Sequence, residues 1–276
     1  MRKLVGISLI GIFSLLNPST SISAVNLPWS TTYNCPEWKQ TDSHYTNCDG
    51  LTHYGDWKTS DGKEEQITTA ANYAGGGAGR GQRHWLGDGS ANNSGGIRIE
   101  FTSPQQELWI RWYMRFQTGF TWSSLQNFKI LYINVGQPSA VVIRFYSWDR
   151  MNVASNCPPQ NYPSPQGTGW NSFIAANGAL DANGNRKSDG QWNMYEVHIK
   201  MDTNGSDGIA EMWIDGVRIL SYSNVCFGTQ GGWFTIVIGS NHAYSANGSA
   251  AYYVDYDDIV ISTTEPIGPL LPIDKK

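Results

Sequence analysis

The sequence predicts an all-β protein, built as a two-sheet sandwich or a barrel. Apolar residues recur at every second position in many short runs, the period of a half-buried strand. Clusters of Gly, Asn, Asp, Ser and Pro separate these runs, as turns do in sandwiches and barrels. After the first two dozen residues no segment repeats apolar residues at helical spacing, and no internal repeat is present.

Met1, Arg2 and Lys3 precede an apolar run from Leu4 to Leu16, and a polar stretch follows to Ala24. This is the layout of a secretory signal peptide, with an apolar run too short to cross a bilayer stably. Residues 1–24 are therefore expected to be removed, and the protein to be secreted, extracellular or periplasmic. No later segment is apolar for long enough to span a membrane. Residues 25–265 are long enough for a single domain with a substantial core. Residues 266–276, Pro-rich, are expected to form a flexible C-terminal tail. The net charge of −4 argues against nucleic acid, which needs a basic surplus. Twelve Trp and fourteen Tyr in a Gly-rich β chain point instead to carbohydrate.

Residues 25–60 read as irregular, and 64–73 as a short strand or helix. The glycine-rich stretch Ala74 to Gly81 lacks the Lys-Ser/Thr ending of a phosphate loop and is expected to be a flexible surface loop. Ile97 to Phe101 alternates as a strand. Residues 149–190 form a long loop insertion rich in Pro, Asn, Gly and Ser. Within it, Asp181 to Asp189 spaces oxygen ligands like a calcium loop, but has neither Gly at the sixth position nor an acid at the twelfth, which is Trp192. Trp192 to Met201 and Ile209 to Gly216 are strands around an Asp202 to Gly208 turn. Val217 to Ser221, Trp233 to Gly239 and Tyr252 to Ile261 complete the set. Cys35, Cys48, Cys157 and Cys226 allow three disulfide connectivities in an exported chain. Cys35–Cys48 would close a short loop, and Cys157–Cys226 would tie the long insertion to the body.

Three central runs carry the functional signal. In Glu107 to Phe116, Leu108, Ile110, Trp112, Met114 and Phe116 share one face, and Trp109, Arg111, Tyr113 and Arg115 share the other. Val141 to Trp148 repeats the pattern, with Arg144, Tyr146 and Trp148 opposite Val141, Ile143 and Phe145. Between them, Lys129 falls opposite Phe128, Ile130 and Tyr132. Aromatic rings stack on sugar faces, and guanidinium groups pair with carboxylates, so these faces suit the floor of a glycan groove. The plainer reading is a solvated sheet face on which Arg side chains cover aromatic rings.

Three segments resemble concanavalin-A-like jelly rolls. Trp192 opens a strand–turn–strand unit that closes on Trp213, Asp215 and Gly216. Tyr253 to Ser262 resembles the final strand of these domains. Glu107 to Phe116, with Lys129 downstream, is similar to the central strands of polysaccharide lyases of this fold. The resemblance implies a jelly-roll β-sandwich of two antiparallel sheets, with sugar on the outer face of a concave sheet. It also places Asp257 and Asp258 as candidate ligands of a structural calcium, with no cofactor required for chemistry. The paired-carboxylate strand Glu-x-Asp-x-x-Glu of glycosidases with this fold is missing, so hydrolysis is the weaker reading. The Gln-Ile-His and Tyr-Phe-Lys-x-Gly motifs of familiar alginate lyases are missing as well.

Lyase chemistry on a uronate needs a cation at the carboxylate, a base for the adjacent proton and an acid for the leaving oxygen. Arg144, Tyr146, Lys129 and Tyr113 are the candidate catalytic residues. Trp109, Arg111, Arg115, Trp148, His242 and Tyr244 are candidates for holding substrate. His198 and Lys200 alternate with Val197 and Ile199 and are expected on a solvated strand face. The expected partner is thus an acidic polysaccharide or oligosaccharide, cleaved by β-elimination. A lectin-like or adhesion jelly roll is the alternative.

Overall fold

The computed structural model describes residues 24–34, 52–53, 66–85, 97–120, 125–135, 139–146, 150–156, 159–163, 168–180, 182, 186–228, 231–238, 243–244 and 253–270. In chain order the strands begin with β1 (Trp29–Thr31), β2 (Thr52–His53), β3 (Gln66–Thr68), β4 (Gly81–Trp85), β5 (Ile97–Gln105) and β6 (Glu107–Phe116). There follow β7 (Leu125–Val135), β8 (Ser139–Tyr146), β9 (Arg150–Asn156), β10 (Pro159–Pro163), the helix α1 (Thr168–Asn177), β11 (Gly178–Leu180) and β12 (Arg186–Ser188). The last are β13 (Asn193–Lys200), β14 (Gly208–Ile214), β15 (Val217–Val225), β16 (Trp233–Ile238), β17 (Ala243–Tyr244) and β18 (Tyr253–Ser262).

They form two large antiparallel sheets. The first runs β15-β14-β13-β6-β18-β4-β3, and β1 also pairs with β18. The second runs β10-β9-β8-β7-β16-β5-β2, and β17 also pairs with β7. β11 and β12 make a small separate ribbon. The chain is therefore the all-β sandwich expected of it, and β6 and β7, adjacent in sequence, belong to opposite sheets.

The core forms where the alternation predicted. Leu108, Ile110, Trp112, Met114 and Phe116 of β6 are all buried, and so are Tyr195, Val197 and Ile199 of β13. The second sheet contributes Ile99, Leu131, Ile133, Ile236 and Ile238 to the same cluster. Each such side chain contributes about 1.5–3 kcal/mol by leaving water. Asp215 and Gly216 have φ of 48° and 79°, as a tight hairpin turn between twisted strands requires, and they join β14 to β15.

Two stretches differ from the sequence reading. The 149–190 segment is not a structureless loop: it holds β9, β10, α1, β11 and β12. The helix buries Phe173 in the core and touches β9 and β15, one strand from each large sheet. Its last residue is tied in twice, since Asn177 Nδ2 donates to the Phe173 carbonyl at 2.8 Å and Asn177 Oδ1 accepts from the Tyr195 hydroxyl. The glycine-rich stretch is packed rather than loose. A Cβ on Gly76 would lie 2.0 Å from Asp258 Oδ2, and one on Gly81 would lie 2.0 Å from the Ala71 carbonyl. Only glycine allows the chain to pass so close to β18. Cys226 is buried near the end of β15, while Cys35, Cys48 and Cys157 lie outside the described residues.

Candidate functional site

The partition of strands divides the predicted site residues between two faces. On the first sheet, register sets Trp109 opposite His198, Arg111 opposite Glu196, Tyr113 opposite Met194, and Arg115 opposite Asp255. This is the outer surface of β6, yet Arg111 is 3% exposed and Tyr113 5%. A strap, Pro266 to Leu270, lies over them. The Gly268 N–H donates to Glu196 Oε2 at 2.8 Å, and the Leu270 N–H donates to the Tyr113 hydroxyl oxygen at 3.2 Å. Arg111 reaches the carbonyls of Gly268 and Asp258, both at 3.4 Å. Residues 266–270, expected as part of a flexible tail, are thus docked on the sheet.

The other polar groups of this face are also engaged with one another. Asp255, fully buried, accepts from Arg83 Nε at 2.8 Å, Arg83 Nη2 at 3.0 Å and Arg115 Nε at 2.9 Å. Arg115 also donates to the Ala70 carbonyl. The Tyr113 ring stacks on Tyr73 at 3.8 Å, and burial pushes the Tyr73 phenol up to about 12, so it stays protonated. His198 is buried rather than solvated: its ring nitrogens lie 2.8 Å from Glu107 and 3.1 Å from Glu211, and its ring lies 3.9 Å from that of Trp109. Lys200 is exposed, as expected, 3.5 Å from Glu107.

Asp257 and Asp258 were expected near a calcium. Both Asp257 oxygens accept backbone N–H groups, from Tyr73 at 2.7 Å and Asp258 at 2.8 Å. Burial, against these two hydrogen bonds, pushes its carboxyl up to about 8. Asp258 Oδ2 is buried with no hydrogen-bond partner among the described residues, the one feature here that suits a cation. No group of three or more His, Cys, Asp or Glu side chains among the described residues could join it to hold a metal. Calcium takes six to eight oxygens, so this pair alone does not fit it.

The second sheet gathers the other candidates. Lys129 on β7 is registered opposite Arg144 on β8, and Arg144 opposite Asn152 on β9. The next row is Asn127, Tyr146 and Arg150, with Ala243 beside Asn127. Tyr244 follows on β17, paired with Leu125. Plain alternation would put Lys129 in the row of Leu131 and Ile133, which are core. An irregularity in register between Lys129 and Leu131 prevents this. The extra residue, Ile130, shifts the strand by one position, as bulges do, and moves position 129 into the row of Arg144. Tyr132, registered opposite Val142, falls on that same face and not opposite Lys129 as alternation had it.

Arg111, Tyr113, Lys129, Arg144 and Tyr146 therefore do not converge: the first two lie under the strap on one sheet, and the last three belong to the other. Tyr113 is separated from the residues with which it was to act. Trp148 and His242 lie outside the described residues. Arg150 and Asn152 were missed because they sit in the supposed loop. Their alternation with Met151 and Val153 was the available signal.

No protein-family model matches the chain, and no curated protein matches it. Among solved structures, an endo-β-1,4-glucuronan lyase from the fungus Trichoderma reesei aligns with a TM-score of 0.52 and 13% identity, over 82% of this chain and 96% of that one. The cellulose-induced protein Cip1 aligns with a TM-score of 0.50 and 14% identity, over 75% and 88%. At such identities the likeness is one of fold. The chain has a concanavalin-A-like jelly-roll fold that resembles that of polysaccharide lyases.

Proposed function

We propose that the protein is exported and cleaves a uronate-containing polysaccharide by β-elimination on the outer face of its second sheet. The observation that carries this is the cross-strand row Lys129, Arg144 and Asn152, next to the row Asn127, Tyr146 and Arg150. Three cationic residues within two adjacent rows, beside a tyrosine, provide the residue types that elimination needs. The likeness in fold to a glucuronan lyase supports the same reading.

In the reaction, Arg144 and Lys129 neutralise the uronate carboxylate, which makes the proton on the adjacent C5 acidic. A base removes that proton, the C5–H electrons form the C4–C5 double bond, and the C4–O bond breaks. The departing oxygen takes a proton. In this reading Tyr146, in the row next to Lys129 and Arg144, serves one or both proton transfers. The cations matter most as charge develops on the enolate-like transition state.

Incubation with polyuronates is therefore expected to give unsaturated chain ends that absorb in the ultraviolet. Arg144→Ala should reduce turnover about a hundredfold or more, roughly 3 kcal/mol of barrier, with a smaller effect on binding. Tyr146→Phe should cause a similar loss while keeping the ring. Binding of polyuronates without unsaturated product would make this face a lectin groove. Neither binding nor product would leave it a solvated sheet face.

A further inference from the structure

The strap stops short of β14, and a recess of about 230 Å³ remains beside it. Trp109, Met194, Glu196 and Trp213 line it from the sheet, and Pro266 and Pro269 from the strap. Nothing in the proposed elimination uses this recess, which belongs to the opposite sheet.

Its lining is held in place. Trp109 lies against His198, with ring planes 6° apart, and two glutamates fix His198. Trp213 lies 5.7 Å from Trp109, with its plane turned by 29°. Glu196 is 5% exposed and keeps its orientation through the Gly268 N–H. A site fixed in advance loses little freedom on binding, which favours affinity for a small ligand.

The chemistry of the lining selects the ligand. Two indoles, a thioether and two prolines leave an almost wholly apolar lining, since the Glu196 carboxylate is buried against the Gly268 N–H, so they favour a molecule with a C–H face whose hydroxyl edge stays in water. A charged guest would lose its water on this lining and gain no ionic partner there. The indole planes are closer to parallel than to perpendicular, so they form a slab and not the box of rings that encloses an ammonium. We propose that the recess is a glycan-anchoring subsite for a neutral pyranose residue, separate from the proposed cleavage face.

The test is a titration of the ¹⁵N-labelled full chain with cellohexaose and, separately, with a glucuronate hexamer, following the indole N–H resonances. The resonance assigned to Trp213 by its loss in Trp213→Phe should move with the neutral hexamer and not with the anionic one. Trp213→Ala, checked for a native melting profile, should weaken binding about tenfold or more. The wild-type shifts decide the matter should that variant not fold. An unmoved Trp213 resonance, an equal shift of it with both hexamers, or unchanged affinity for the neutral hexamer in Trp213→Ala would each overturn the proposal. So would binding by a chain ended at Leu270 but not by the full chain, which would make residues 271–276 the occupant.

Discussion

Asp255 and Asp257 sit two positions apart on β18, both buried, yet their surroundings give them opposite chemistry. Asp255 faces two guanidinium groups, whereas Asp257 faces two backbone N–H groups and no cation within hydrogen-bonding distance among the described residues. Burial holds the Asp257 carboxyl up to about 8, above its unfolded value near 4. An acid raised in this way favours the fold while protonated. Its contribution is whole below about pH 4 and is lost as the pH rises through 8. Urea unfolding at pH 5 and pH 8.5 should therefore show wild type losing roughly 4 kcal/mol relative to Asp257→Asn. Parallel pH curves for the two proteins would contradict this. At this scale the sequence identified the cations but not what each one meets. Arg115 and Arg111 read as free to hold substrate, yet Asp255 is 140 residues from Arg115, and Gly268 is 157 residues from Arg111. Residue type and alternation carry no information about partners so distant.

The strap shows how an element can be hidden in composition. Pro266 and Pro269 suggested a loose end, but the N–H groups of Gly268 and Leu270 are the ones that dock, onto Glu196 and Tyr113. A chain ended at Thr264 should uncover Arg111 and Tyr113 and lose roughly 2–3 kcal/mol, from two hydrogen bonds and the apolar contact above the sheet. Its melting temperature should fall, and Tyr113 should become open to solvent-accessible iodination. Wild-type stability in the shortened chain would show that the strap rests on the sheet without holding it. The helix α1 was illegible for a related reason. Thr168 to Asn177 includes Gly169, Asn171 and Ser172, poor helix formers, and Phe173 and Asn177 anchor it. The bulge at Ile130 left no trace in the alternation, because it is defined only against β8.

For the whole molecule, the two sheets share one core, and Trp112 from the first and Trp233 from the second are both fully buried. Trp233→Ala should cost about 3–5 kcal/mol and lower a single transition, reported alike by far-ultraviolet dichroism and by tryptophan fluorescence. Two separated transitions would mean that the sheets unfold independently. The jelly-roll class was legible because the hairpin around Asp202 to Gly208 and the final strand carry their own patterns. The assignment of strands to sheets was not, since alternation says which side of a strand is apolar and never which sheet the strand joins. The place of β18 has a further consequence, for the order of events during synthesis. This strand, the last of the described strands to be made, lies inside the first sheet between β6 and β4. At about 5–20 residues per second, the ribosome delivers it on the order of ten seconds after β6. Until then β6 and β4 keep open edges that other chains can pair with. A nascent chain interrupted before residue 253 is thus no smaller jelly roll. It is a sticky half-sheet, and chaperones would have to hold it until β18 arrives.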